Sequence, residues 1–111
     1  MTIVFIAVPT VGVATNGRLN DEFMQDVAKL HEQYPNITFI APMIQDYAIL
    51  PHLKVSATWE VWGKHCERLI EVCDEVWVMQ YKGYDTSVGV AGEIAKAKQC
   101  GKPVIYQQVP V

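Results

Sequence analysis

The 111-residue sequence predicts an α/β fold built on a parallel sheet of four or five strands, and three observations lead there. Continuous β-branched and aromatic runs take turns with stretches of helical periodicity along the whole chain. The runs show no polar and apolar alternation, which marks strands buried on both faces. Each run also gives way to a loop of small residues or proline before the next helix, the crossover that parallel neighbours require.

The first strand is "TIVFIAV", Thr2 to Val8, and Pro9 ends it. Thr10 to Arg18, "TVGVATNGR", reads as a small-residue loop. Asn20 then stands where a helix N-cap is needed, and Asp21 and Glu22 suit the positive end of the helix dipole. Phe23, Val27, Leu30 and Tyr34 recur at helical spacing as its inward stripe, which Pro35 stops. "ITFIAP" is the second strand, and Met43 to Ala57, with Pro51 inside it, reads as an irregular active-site loop. Thr58 caps the next helix, where Trp59, Trp62, Cys66, Leu69 and Cys73 share one face. "EVWVMQY" is the third strand, "GVAGEIAKAKQC" a helix stopped by Gly101, and "PVIYQQ" the fourth strand. No repeat, linker or low-complexity segment interrupts this order, so residues 1–111 read as a single domain.

Bulk properties narrow the function. A net charge of −3 with nine Lys and Arg provides no basic stripe for a nucleic acid polymer. The apolar opening is too short to span a bilayer and has no basic flank, so a soluble cytoplasmic protein is expected. The three cysteines form no C-x-x-C pair, which disfavours a disulfide framework and a zinc site alike. No metal and no cofactor is implied.

In an open parallel sheet, ligands bind beyond the carboxyl ends of the strands, where every strand-to-helix loop emerges. That rule gathers Thr10 and Gly12, Gln45 and Asp46, Tyr81, Tyr84, Asp85 and Ser87, and Gln107 at one rim. Glu93 lies in the early turns of the helix after Ser87, beside the free amides of Val88, Gly89 and Val90. The group suits a polar small molecule with an anionic end. Each residue also has an ordinary reading: Tyr81 and Tyr84 as cover for the sheet edge, Asp85 and Ser87 as turn and cap, Gln45 as solvated. The glycines of "TVGVATNG" offer a flavin phosphate loop as another alternative, but the stretch lacks hydroxyl density.

From Trp59 to Tyr106 the sequence "TWEVWGKHCERLIEVCDEVWVMQYKGYDTSVGVAGEIAKAKQCGKPVIY", taken with Thr58 before it, carries a recognisable series: W-x-x-W, C-D-x-x-W-V, S-x-G-V-x-x-E and G-K-P-V. It resembles the nucleoside 2-deoxyribosyltransferase-like superfamily, most closely its DUF1937 branch. The resemblance implies a flavodoxin/Rossmann-like three-layer sandwich and chemistry at the N-glycosidic bond of a nucleoside or 5′-monophosphate. It implies that Glu93 is the nucleophile, that Ser87 and the amides at Val88 to Val90 face the 5′ end, and that Gln45 falls where transferases place a base-recognising glutamine. A neighbouring subunit often completes the pocket in such proteins, so a homo-oligomer is expected. Two positions depart from the pattern. Cys66 stands where the family carries an aspartate, and Thr10 and Val8 replace a tyrosine and a serine of the first loop. An alternative therefore stands beside the enzyme: a weak or inactive binding protein that sequesters a nucleotide or an ADP-ribose-like signal.

Overall fold

A computed structural model of the protein describes residues 2–54 and 59–111, with the backbone alone for 59–61. Four strands, β1 (Thr2–Ala7), β4 (Ile37–Ile40), β5 (Glu75–Met79) and β6 (Val104–Gln107), form one sheet in the order β4-β1-β5-β6. All its pairings are parallel, with Val4 beside both Phe39 and Glu75, and Val76 beside Val104. This is the predicted fold class. The unalternated β1 run has the predicted consequence: Val4 and Ile6 enter one core and Phe5 and Ala7 the other.

The first core is covered by α2 (Asp21–Gln33), which contributes Phe23, Val27 and Leu30 against Phe39, Trp77 and Met79. Tyr34 closes that helix, half-exposed, with its ring edge-on to Phe39 and Trp77. Asn20 occupies the N-cap position in extended backbone without a side-chain cap bond. The second core is covered by α4 (Trp59–Val72) and α5 (Val88–Gln99). Cys66, Cys73 and the fully buried Ile70 pack there with Val76, Val78, Val90 and Ala97, and Leu69 flanks them. Lys96 on α5 pairs with Glu71 on α4 at 2.9 Å. The N-cap expected at Thr58 and the side chain of Trp59 lie outside the described residues.

Two segments differ from the sequence reading. Thr10 to Arg18 is not a plain loop: it forms a one-turn helix α1 (Thr10–Val13) and a hairpin of β2 (Ala14–Thr15) and β3 (Arg18–Leu19). The turn is Asn16-Gly17, with φ of 52° and 77°, the pair of positive angles that a two-residue hairpin demands and Asn-Gly tolerates. Met43 to Ala57 is not irregular at its start: α3 (Pro42–Ile49) runs on into a 3₁₀ turn at Leu50–His52. Pro42 explains the start, because its fixed φ suits the first helical turn, where a missing N–H costs no bond.

Candidate functional site

The strand order sets the place of the site. The chain leaves β1 toward β4 on one side and returns to β5 on the other, so the loops after β1 and β5 part at their carboxyl ends. A cavity of about 310 Å³ opens at that switch point. Ile6, Val8 and Thr10 line it from the end of β1, and Pro42, Met43, Asp46, Tyr47 and Leu50 from α3 and the turn after it. Trp62 and Cys66 line it from α4, and Ser87, Gly89 and Glu93 from the start of α5.

Glu93 is buried, 8% exposed, and lines this cavity. Burial is the main reason its pKa rises from an ordinary 4.5 to about 8; the negative charge of Asp46 adds to the rise, and a hydrogen bond with the Cys66 side chain opposes it. Cys66 responds in turn. Burial first, then the charge and hydrogen bond of Glu93, push its thiol up to about 12, so it remains neutral and hydrogen-bonded to the Glu93 carboxyl. Asp46 is also raised, through burial, against a lowering by His65. His65 stacks obliquely on Trp62, with ring centres 5.8 Å apart. The Trp62 indole nitrogen is buried and has no hydrogen-bond partner among the described residues. A donor in that position is available to an acceptor on a ligand.

Ser87 is the N-cap of α5, and its Oγ accepts from the Val90 amide at 3.2 Å. Among the described residues its hydroxyl proton has no acceptor and can serve a ligand as well. Thr10, Asp46, Ser87, Gly89 and Glu93, expected at the strand-end rim, share one cavity with Cys66, the position that departs from the family pattern. The other rim residues lie elsewhere. Gln45 and Asp85 are exposed, Val88 is 74% exposed, and Val90 is wholly in the core. Tyr81 continues the β5 face that meets α2, and its hydroxyl donates to Asp26 at 2.5 Å. Asp26, buried on α2, also accepts from the Val111 amide at 2.9 Å. Tyr84 accepts from Gln80 at 3.3 Å and packs against Tyr106. Gln107 donates to the Gln108 carbonyl at 3.0 Å.

Sequence reasoning put this segment and Asp46 at the site but read it as an irregular loop, and so missed that α3 forms a wall with Met43, Tyr47 and Leu50. Its signal was present: a proline directly after a strand, then Met43, Tyr47 and Leu50 at spacings of four and three. Gly12 does not line the cavity but decides how the loops meet. A Cβ there would lie 2.5 Å from the Lys82 carbonyl oxygen and 2.7 Å from the Tyr81 Cβ. The first and third loops approach that closely only because the residue is glycine.

Among the described residues, no group of three or more His, Cys, Asp or Glu could hold a metal ion, and no helix is long and apolar enough to cross a membrane. The lining itself carries carboxyl groups, an indole donor without a partner among the described residues, and the start of a helix, in a space suited to a small organic ligand. No curated protein and no solved structure matches the chain. Over residues 2–108 the sequence matches the family described as Domain of unknown function (DUF1937), and this chain belongs to that family.

Proposed function

We propose that the protein binds a nucleoside or nucleoside 5′-monophosphate and cleaves its N-glycosidic bond, with Glu93 as nucleophile. The observation that carries this reading is that Glu93, buried, lines the switch-point cavity beside the capped start of α5. A carboxylate there stabilises positive charge developing on the sugar and forms a glycosyl ester that water still cleaves. At about 310 Å³ the cavity stands at the low end of the range of about 300–1,000 Å³ for small-molecule sites, which suits one nucleoside. No Lys or Arg lines it among the described residues, so any phosphate would rest on Ser87 and the helix amides.

A second reading is a binder that has lost turnover, and Cys66 favours it. The thiol hydrogen-bonds to Glu93 where the family resemblance calls for an acid, and at a pKa of about 12 it supplies no proton. Incubation with nucleosides, deoxynucleoside monophosphates and ADP-ribose, followed by thermal shift and chromatography of released base, separates the two. The enzyme gives stabilisation with base release, and Glu93→Gln abolishes the release while keeping the fold. The binder gives stabilisation alone.

A further inference from the structure

If Cys66 supplies no proton, the departing base has to be protonated from elsewhere, and the cavity wall narrows the choice. Tyr47 lines it, but burial makes this phenol a still weaker acid than usual. The Trp62 N–H is no acid, and His65 is exposed and does not line the cavity. Asp46 remains. It reaches the cavity from α3, an element distinct from the helix that carries position 66, and it lies within electrostatic range of Glu93, Cys66 and His65.

We propose that Asp46 is the proton carrier of this site, taking the proton of Glu93 and delivering it to the departing base in place of the acid missing at position 66. The proposal rests on the glycosidic reading above. Two neighbouring carboxyl groups in a partly buried site hold one proton between them near neutrality. Before substrate binds, that proton resides on Glu93, the more deeply buried of the two. Transfer to Asp46 leaves Glu93 as carboxylate. One Glu93 oxygen then bonds to the anomeric carbon while the carbon–nitrogen bond breaks. The electron pair of that bond goes to the base nitrogen, which receives the Asp46 proton. In the second half, Asp46 takes a proton from the water that attacks the ester. Glu93 leaves as carboxylate, and the Asp46 proton returns to it. Atoms and charge balance over the cycle, and no other reactant than water enters.

The test compares 2′-deoxyguanosine with 7-methyl-2′-deoxyguanosine, whose base is already cationic and leaves without a proton. Base release is measured for the parent, Asp46→Asn, Asp46→Glu and Glu93→Gln, the last also serving as the blank for spontaneous hydrolysis. Asp46→Asn is expected to lower release from deoxyguanosine by about 100-fold, the lower part of the general-acid range, and to spare the methylated substrate. Asp46→Glu is expected to recover part of the loss, because a carboxyl returns on a longer stem. Equal losses on both substrates, or no loss on deoxyguanosine, overturn the role of Asp46 while leaving Glu93 as nucleophile. Release by the parent no greater than by Glu93→Gln, on these two substrates and on the nucleosides and monophosphates above, overturns the glycosidic reading, and this proposal with it. Melting curves show whether Asp46→Asn remains folded, and the contrast between substrates within one variant does not depend on the folded fraction.

Discussion

At the scale of the residue, Glu93 combines a structural cost with a chemical use. Its folded-state pKa of about 8 exceeds the ordinary 4.5, so between those values the folded protein holds a proton that the unfolded chain has released. Stability is therefore greatest below about pH 4.5 as far as this group is concerned, and declines as pH rises toward 8. The full decline is about 5 kcal/mol by the relation between pKa shift and free energy. Glu93→Gln removes it, since the amide is nearly isosteric, stays neutral and still accepts from the Cys66 thiol. The expected outcome is a variant that melts close to the parent at pH 5 and roughly ten degrees or more above it at pH 8.5. A difference that is the same at both pH values would show that Glu93 is not held protonated by the fold. The residue scale also shows what sequence cannot supply. Glu93 and Ser87 were legible because they sit in one short helix start, whereas the hydrogen bond between Glu93 and Cys66 joins two helices and exists only after packing.

At the scale of the element, the outcome depended on whether local signals were strong. The β strands were legible because burial on both faces suppresses alternation, and α2 because Phe23, Val27 and Leu30 keep a single stripe. α3 was not, since none of its residues is fully buried and its apolar residues divide between the cavity and the first core. The β2 and β3 hairpin is only two residues per strand, too short for a pattern, although Asn16-Gly17 announces its turn. Tyr81, Tyr84 and Asp85 were assigned to the rim by loop membership alone. The turn after β5 instead sends Tyr81 toward α2 and Tyr84 toward the second core. The first and third loops meet at Gly12, where the nearest groups are backbone and Cβ atoms that have no rotamer to yield. Gly12→Ala should therefore destabilise the protein by about 2 kcal/mol, a usual cost of overpacking, and weaken ligand binding by moving Thr10. Urea midpoints and thermal-shift titrations read the two effects; an unchanged midpoint would mean the loops separate freely.

At the scale of the whole molecule, one sheet supports two cores, and the cavity lies where both reach the strand ends. Ile6 and Val8 belong to the first core and Cys66 to the second, and all three line it. This continuity was legible as a rule about parallel sheets, but the identity of the walls required the strand order. The tryptophans divide along the same geometry. Trp77 is 7% exposed and edge-on to Tyr34 and Phe39 within the first core, whereas Trp62 borders the cavity with an indole nitrogen that has no partner among the described residues. The protein thus carries its own optical reporter. In a Trp59→Phe background, ligands that fill the cavity should shift or quench the Trp62 emission, while Trp77 provides a constant blue-shifted background. A fluorescence titration with unlabelled nucleosides would then rank ligands before any reaction is known, and Trp62→Phe should abolish the response.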